Sequence, residues 1–371
     1  MRKIYVYVFG LLFAAFLLVS TSFGSITASL NIASAGVIQS ADDPTFQIRG
    51  ADVPLDAFFP GNINYQPNAW TQLQDLHINL IRCFPGNEGD VAHFSISDDA
   101  NWATNLNNFL TTANSYGIKV CWEQLGSSYS SSLFFGIIPE TTPIATAKSM
   151  IDKLEGSNSL GHDFITDPRV WVWDVSNEQD LSVRANLNWN LNLTDYIRSK
   201  GGRAEISFAR WGNWEIDPTT TGNILYGHVD QIQYHMYGEY EYVNYFHYGT
   251  TSYGQWNNLT AYLTYEYQQM LSTPHFSADQ IFLGEFGCWR GLGSNEGLSN
   301  VNFTDQDRIN IYSAAFNAAK AAGVQNLCFH FMFSETDETP DYGIVKDPAS
   351  GTGYWDNNLA GIIRTSFAGT S

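Results

Sequence analysis

The sequence predicts an α/β chain folded as a single (β/α)8 TIM barrel. Three observations predict it. Apolar, β-rich runs alternate with helix-like patterns eight times from about residue 45 onward, which implies a parallel sheet of a size that closes on itself. Glycines stand where a helix must stop before the next strand, in "SYGIKV", "SKGGRAEI" and "AAGVQNL" (Gly117, Gly201 and Gly202, Gly323). No Gly-rich phosphate loop follows any strand, which argues against a doubly wound nucleotide-binding sheet.

The elements follow in order. Strand one is read over Phe46–Ala51 and its helix over Asn68–Leu76; strand two over Asn79–Cys83, with Asp98–Tyr116 after it. Ile118–Trp122 precedes Thr142–Leu154, and Val170–Val175 precedes Leu181–Ser199. Strand five, Ala204–Phe208, has only a weak, irregular helical successor. Val229–Met236 leads to Asn257–Leu271, Ile281–Gly284 to Asp305–Ala322, and Val324–Phe333 to a short segment near Leu359–Arg364. The Ser-rich stretch Gly126–Pro143 reads as an enlarged loop on the active face.

Composition narrows the function. The 371 residues are 44% apolar and 15% charged, with a net charge of -19. That balance argues against nucleic acid and anionic membrane as partners. Eleven Trp, 20 Tyr and 24 Phe supply a large core and rings able to stack on sugars. Arg2 and Lys3 followed by the apolar run Ile4–Val19 read as a signal peptide or N-terminal anchor over residues 1–24. A Ser/Ala-rich tether spans 25–43, and the barrel 44–371. The expectation is a secreted or cell-surface protein that meets a membrane only through that anchor. Cys83, Cys121, Cys288 and Cys328 form no C-x-x-C pair, which argues against a zinc site; no metal and no cofactor are expected. The cysteines read as buried thiols, with one disulfide as the alternative.

In such a barrel the chemistry stands at the C-terminal strand ends. Those ends offer Asp52, Arg82, "CWEQ" (Trp122, Glu123), "SNEQD" (Asn177, Glu178), "ARWGNW" (Trp211), "YHMYGEY" (His235, Tyr237), "GEFGCW" (Glu285, Trp289) and "FHFMF" with His330. Glu178 and Glu285 follow directly on buried-looking strands. A carboxylate there is costly unless it is hydrogen-bonded or used. Strands four and seven stand across the barrel from each other, so these two carboxylates can face one another over its mouth, as glycoside hydrolysis requires. The alternative is that each caps the helix that follows.

The motifs "SNEQ" and "LGEFG", with Arg82 and the His235/Tyr237 pair, resemble glycoside hydrolase clan A, and within it family 5 of cellulases, mannanases and related β-glycanases. The resemblance implies a retaining hydrolase of β-1,4-glucan or β-mannan with Glu178 as acid/base and Glu285 as nucleophile. It implies that Asn177 bonds the sugar 2-hydroxyl, that His235 or Tyr237 orients the nucleophile, and that Arg82 keeps it ionised. Trp122, Glu123, Trp211 and Trp289 are further candidates for contact with a polysaccharide or oligosaccharide. The chain departs from the family pattern at Gln179, where Pro is common, and at Trp122-Glu123-Gln124, where His is common. Phe331 or Phe333 stands where a Trp is expected. A surface-anchored carbohydrate-binding protein on a degenerate barrel and an envelope transglycosylase are the alternatives.

Overall fold

In a computed structural model the described residues are 46–60, 65–84, 100–122, 142–178, 181–209, 217–238, 242, 258–292, 302–330, 332–333, 342–346 and 354–368. The stretches read as signal or anchor (1–24) and tether (25–43) lie outside them. Among the described residues no helix is long and apolar enough to cross a membrane.

Eight parallel strands close into a barrel: β1 (Arg49–Pro54), β2 (Leu80–Phe84), β3 (Lys119–Trp122), β4 (Val170–Asp174), β5 (Ala204–Ala209), β6 (Gln231–His235), β7 (Ile281–Glu285) and β8 (Asn326–Phe329). They succeed one another around the barrel in chain order, and β8 pairs with β1. A helix follows each strand: α1 (Ala69–Asp75), α2 (Trp102–Ser115), α3 (Ile144–Glu155), α4 (Arg184–Ser199), α5 (Pro218–Leu225), α6 (Leu259–Leu271), α7 (Asp305–Ala322) and α8 (Asn357–Ala368). This is the predicted (β/α)8 barrel.

Local sequence sets the helix ends. Thr304 and Asp307 form a reciprocal capping box at the start of α7, and Gly323 ends it in a left-handed conformation at φ 84°. The weak successor of strand five is α5. Asp217 accepts from Thr219 N and Thr220 N at 2.9 and 3.1 Å, and Pro218 occupies the first helical position.

The barrel interior is layered. At the bottom, Phe46, Ile48, Leu80, Trp171, Val172, Phe282 and Cys328 pack as an apolar plug. Phe46 lies against Trp171 with ring centroids 4.9 Å apart. The run Phe46–Ile48 is therefore apolar because it plugs the barrel, and pairing begins only at Arg49, three residues later than the pattern predicted. Above the plug sits a buried polar layer of Asp174, Glu205, Gln231 and Gln233. Above that stands the layer that carries the chemistry.

Candidate active site

Arg82 projects from the middle of β2, level with Asp52 of β1 and Cys121 of β3. It is fully buried, a position a guanidinium occupies only when surrounded by acceptors. Its Nη1 donates to Glu285 Oε1 at 2.5 Å and to Asp52 Oδ2 at 3.3 Å. Its Nη2 donates to Asp174 Oδ2 at 3.1 Å and to Asn177 Oδ1 at 2.7 Å. One cation from β2 thus ties together residues on β1, β4 and β7 and the turn after β4.

Glu285 is the last residue of β7. Strand alternation turns Phe282 and Gly284 into the barrel and would turn Glu285 out. The register with β6 slips between Tyr234 and His235, so that His235 pairs with Glu285 and not with Gly284. This bulge re-aims the carboxylate over the mouth, a use of bulges common beside active sites. Gly284 is required there: any Cβ would overlap the side chain of Gln233. Tyr237 OH donates to Glu285 Oε2, and His235 Nδ1 lies 3.4 Å from Oε1.

Glu178 stands on the turn after β4 with a left-handed backbone, φ 49°. A non-glycine residue pays for that conformation, and such strain collects at functional sites. Its amide donates to Ser207 Oγ at 3.4 Å, and Ser207 Oγ in turn donates to Ser176 O at 2.9 Å. The turn brings Glu178 Oε1 within 2.6 Å of His235 Nδ1. His235 therefore lies between the two glutamates. One oxygen of Glu178, one of Glu285 and a nitrogen of His235 all lie within 4.8 Å of one another.

Burial alone would push the Glu285 carboxyl up. The charges of His235, His330 and Arg82 and the Tyr237 hydrogen bond outweigh it and hold the group well below the usual carboxylate range. The same carboxylate acts back on Tyr237, whose hydroxyl is pushed well above its ordinary value, first by burial and then by Glu285.

The structure thus brings together Arg82, Asn177, Glu178, His235, Tyr237 and Glu285. Trp122 is fully buried, its ring 5.6 Å from Phe109 and 6.5 Å from Trp173. No face is left to meet a sugar, which assigns Trp122 to the core and corrects the expectation of substrate contact. Trp289 is also buried, edge-on to Phe303 and Tyr342 at 4.9 and 5.8 Å. Phe333 is fully buried. Glu123, Gln124, Gln179, Trp211 and Phe331 lie outside the described residues. All four cysteines are buried, and none is in a disulfide.

Sequence reading missed Asp174, because it hides inside the run "VWVWDV". It also gave no role to Asp52 or His330. A lone acid inside an otherwise apolar strand is the signal that would have flagged Asp174, since burying one demands a partner.

No protein-family model matches the sequence, and no curated protein matches it. Solved structures do match the fold. A glycoside hydrolase family 5 mannosidase from Rhizomucor miehei gives a TM-score of 0.55 at 15% identity, over 88% of this chain and 93% of that one. The fold matches that of family 5 glycoside hydrolases. An endo-β-1,4-mannanase from Thermotoga petrophila gives 0.54 at 15% identity, over 88% and 77% of the two chains. A family 5 xyloglucanase from Paenibacillus pabuli gives 0.53 at 14% identity, over 87% and 99%. At these identities the likeness is one of fold, and the chemistry rests on the residues.

Proposed function

We propose that this chain is a retaining glycoside hydrolase of a β-linked polysaccharide, β-1,4-glucan or β-mannan, with Glu178 as acid/base and Glu285 as nucleophile. The observation that carries it is the approach of the two carboxylates, within 4.8 Å by their nearest oxygens around His235. Carboxyl groups about 5–5.5 Å apart suit a double displacement, whereas inversion needs roughly 6.5–9.5 Å to admit a water.

Glu285, held ionised, attacks the anomeric carbon while Glu178 protonates the departing glycosidic oxygen. Glu178 then takes a proton from water, which attacks the glycosyl ester and releases Glu285 with the original configuration. Arg82 and Tyr237 hold one oxygen each of Glu285. Asn177 Oδ1 accepts from Arg82 Nη2, which leaves its Nδ2 to donate to a sugar hydroxyl. The names of the mannosidase, mannanase and xyloglucanase that share the fold support the substrate class. Arg2, Lys3 and the Ile4–Val19 run support export to the exterior or cell surface, ahead of a catalytic barrel over 44–371.

The test is a panel of mannan, mixed-linkage glucan, cellulose and xyloglucan, with product sizing and the product anomer read by NMR. Release with retention is expected on at least one of them. Glu285→Gln and Glu178→Ala are each expected to lower turnover of an aryl β-glycoside by at least about 10³-fold. Azide is expected to rescue Glu285→Ala with an inverted product. Parent-like turnover in Glu285→Gln would overturn the assignment.

A further inference from the structure

Glu285 is flanked on its Oε2 side by a pair that the mechanism above leaves unused. His330 follows β8 directly. Its Nδ1 lies 2.9 Å from Asp52 Oδ2 and 3.8 Å from Glu285 Oε2. One ring nitrogen therefore faces two carboxylates. Asp52 is fully buried on β1, and its Oδ1 accepts from Cys328 Sγ at 3.3 Å. The plainer reading makes Asp52 a counter-ion of Arg82. The distances favour His330: Arg82 Nη1 stands 3.3 Å from Asp52 Oδ2, farther than the imidazole, and Arg82 has three other acceptors in Asp174, Asn177 and Glu285.

His330 is itself held in place. Its amide donates to Phe286 O at 2.9 Å, and its carbonyl accepts from Tyr312 OH at 2.8 Å. A Cβ on Gly287 would overlap that carbonyl, so the glycine of "GEFG" is what lets β7 and β8 approach here. The ring stands edge-on to Tyr342 and Tyr237, at 4.9 and 5.9 Å between centroids.

We propose that Asp52 and His330 form a positioning pair for the nucleophile: Asp52 fixes the imidazole of His330 as a cation directed at Glu285 Oε2, opposite the oxygen that Arg82 holds. Arg82 and His235 then face Glu285 Oε1 while the His330 charge stands 3.8 Å from Oε2, so the ionised form is stabilised from both sides. Asp52 acts through His330 and touches no reacting atom. The groups facing the imidazole among the described residues are Asp52 from β1, Arg82 from β2, Tyr237 after β6, Glu285 from β7 and Tyr342 beyond β8. Burial raises the Asp52 pKa, and Arg82 and His330 offset part of that rise. The word nucleophile rests on the function proposed above; the pair itself does not.

The test is therefore chosen to read with or without turnover. In protein labelled with 15N-histidine, the ring signals of His330 are assigned by their loss in His330→Gln. They are expected to stay those of an imidazolium to higher pH in the parent than in Asp52→Asn or Glu285→Gln, by about one pH unit. A neutral His330 across pH 5–8, or a titration unmoved in Glu285→Gln, would overturn the proposal. Should Asp52→Asn not fold, the Glu285→Gln titration decides. The kinetic arm follows the acid limb of kcat/KM on an aryl β-glycoside. His330→Gln is expected to move it to higher pH, because a cation beside Glu285 is gone. Asp52→Asn is expected to move it the same way, and to add nothing in the His330→Gln background. An Asp52 that is merely a neighbouring negative charge would move the limb to lower pH, which sinks the pair. Absence of any glycan hydrolysis would remove the hydrolase reading and leave the NMR result standing.

Discussion

Glu285 and Glu205 are both buried carboxylic acids inside one barrel, a layer apart, and they end in opposite states. Glu285 meets Arg82, His235, His330 and the Tyr237 hydroxyl, and is held well below the ordinary range against the push of burial. Among the described residues Glu205 takes hydrogen bonds from neutral donors, Gln231 Nε2 at 2.6 Å, Cys121 Sγ at 3.1 Å and Gln233 Nε2 at 3.4 Å, and the Arg82 charge lowers it less than burial and Asp174 raise it. Burial first, and then the Asp174 charge, push its carboxyl up to about 8. At equal burial the neighbouring cations decide which form of the acid survives. The upper layer keeps a charge ready for chemistry. The lower layer holds a proton and serves as floor.

The strongest way to break this contrast is Arg82→Met. It leaves Asp52, Asp174 and Glu285 without the guanidinium they share, and should make Glu285 resemble Glu205. A loss of about 3–5 kcal/mol in unfolding free energy is expected for removing one member of a buried ionic cluster. Glycosidase turnover should fall with it by about 10³-fold. Equilibrium urea unfolding and aryl-glycoside kinetics measure the two. An unchanged midpoint would mean that the carboxylates are not paired as described.

A smaller effect sharpens the contrast from the other side. The folded pKa of Glu205, about 8, lies above the value near 4.3 expected in the unfolded chain. The folded state therefore keeps a proton that the unfolded chain has given up, and stability falls as pH rises from about 4.5 to about 8. Glu285 has the opposite sign: its stabilisation is present above about 4.3 and is lost as pH falls below that. Glu205→Gln should abolish the first slope, so that the parent loses about 3–4 kcal/mol more than the variant between pH 5 and pH 8. Identical slopes in urea titrations of the two proteins would refute a protonated Glu205.

The smallest effect concerns the thiols. Cys121 and Cys328 are pushed well above the ordinary thiol value, first by burial and then by Glu205 and Asp52 respectively. Like Cys83 and Cys288, they are buried and form no disulfide. Iodoacetamide at pH 8 is expected to leave the folded protein unlabelled and to modify all four in denaturant. Prompt labelling of the native protein would show a barrel interior more open than this one.

The eight strands were legible because burial on both faces is written locally, as in "VWVWDV" at Val170–Val175, where every residue is buried. Helix α7 was legible to the residue because the capping box at Thr304 and the glycine at 323 are local signals. Strand β1 was placed three residues early because apolar character reports burial and not pairing: Ile48 is buried in the plug. Strand β8 was read through to Phe333, yet it ends at Phe329, and Phe333 makes only an isolated bridge to Val345. Helix α5 was underread because its apolar pattern is short, although Asp217-Pro218 announced its start.

The residue order alone was enough for a closed eight-unit barrel and for the strand ends at or just beyond which Asn177, Glu178, His235, Tyr237 and Glu285 stand, because both follow from short-range periodicity; Arg82 was placed at a strand end and stands in the middle of β2. Which acids are charged was decided only by the tertiary structure. Arg82 meets Glu285 across 203 residues of sequence and Asp52 meets His330 across 278. A carboxylate's state is a sum of desolvation and charges from every strand around it. No local pattern carries that sum; closing the barrel does.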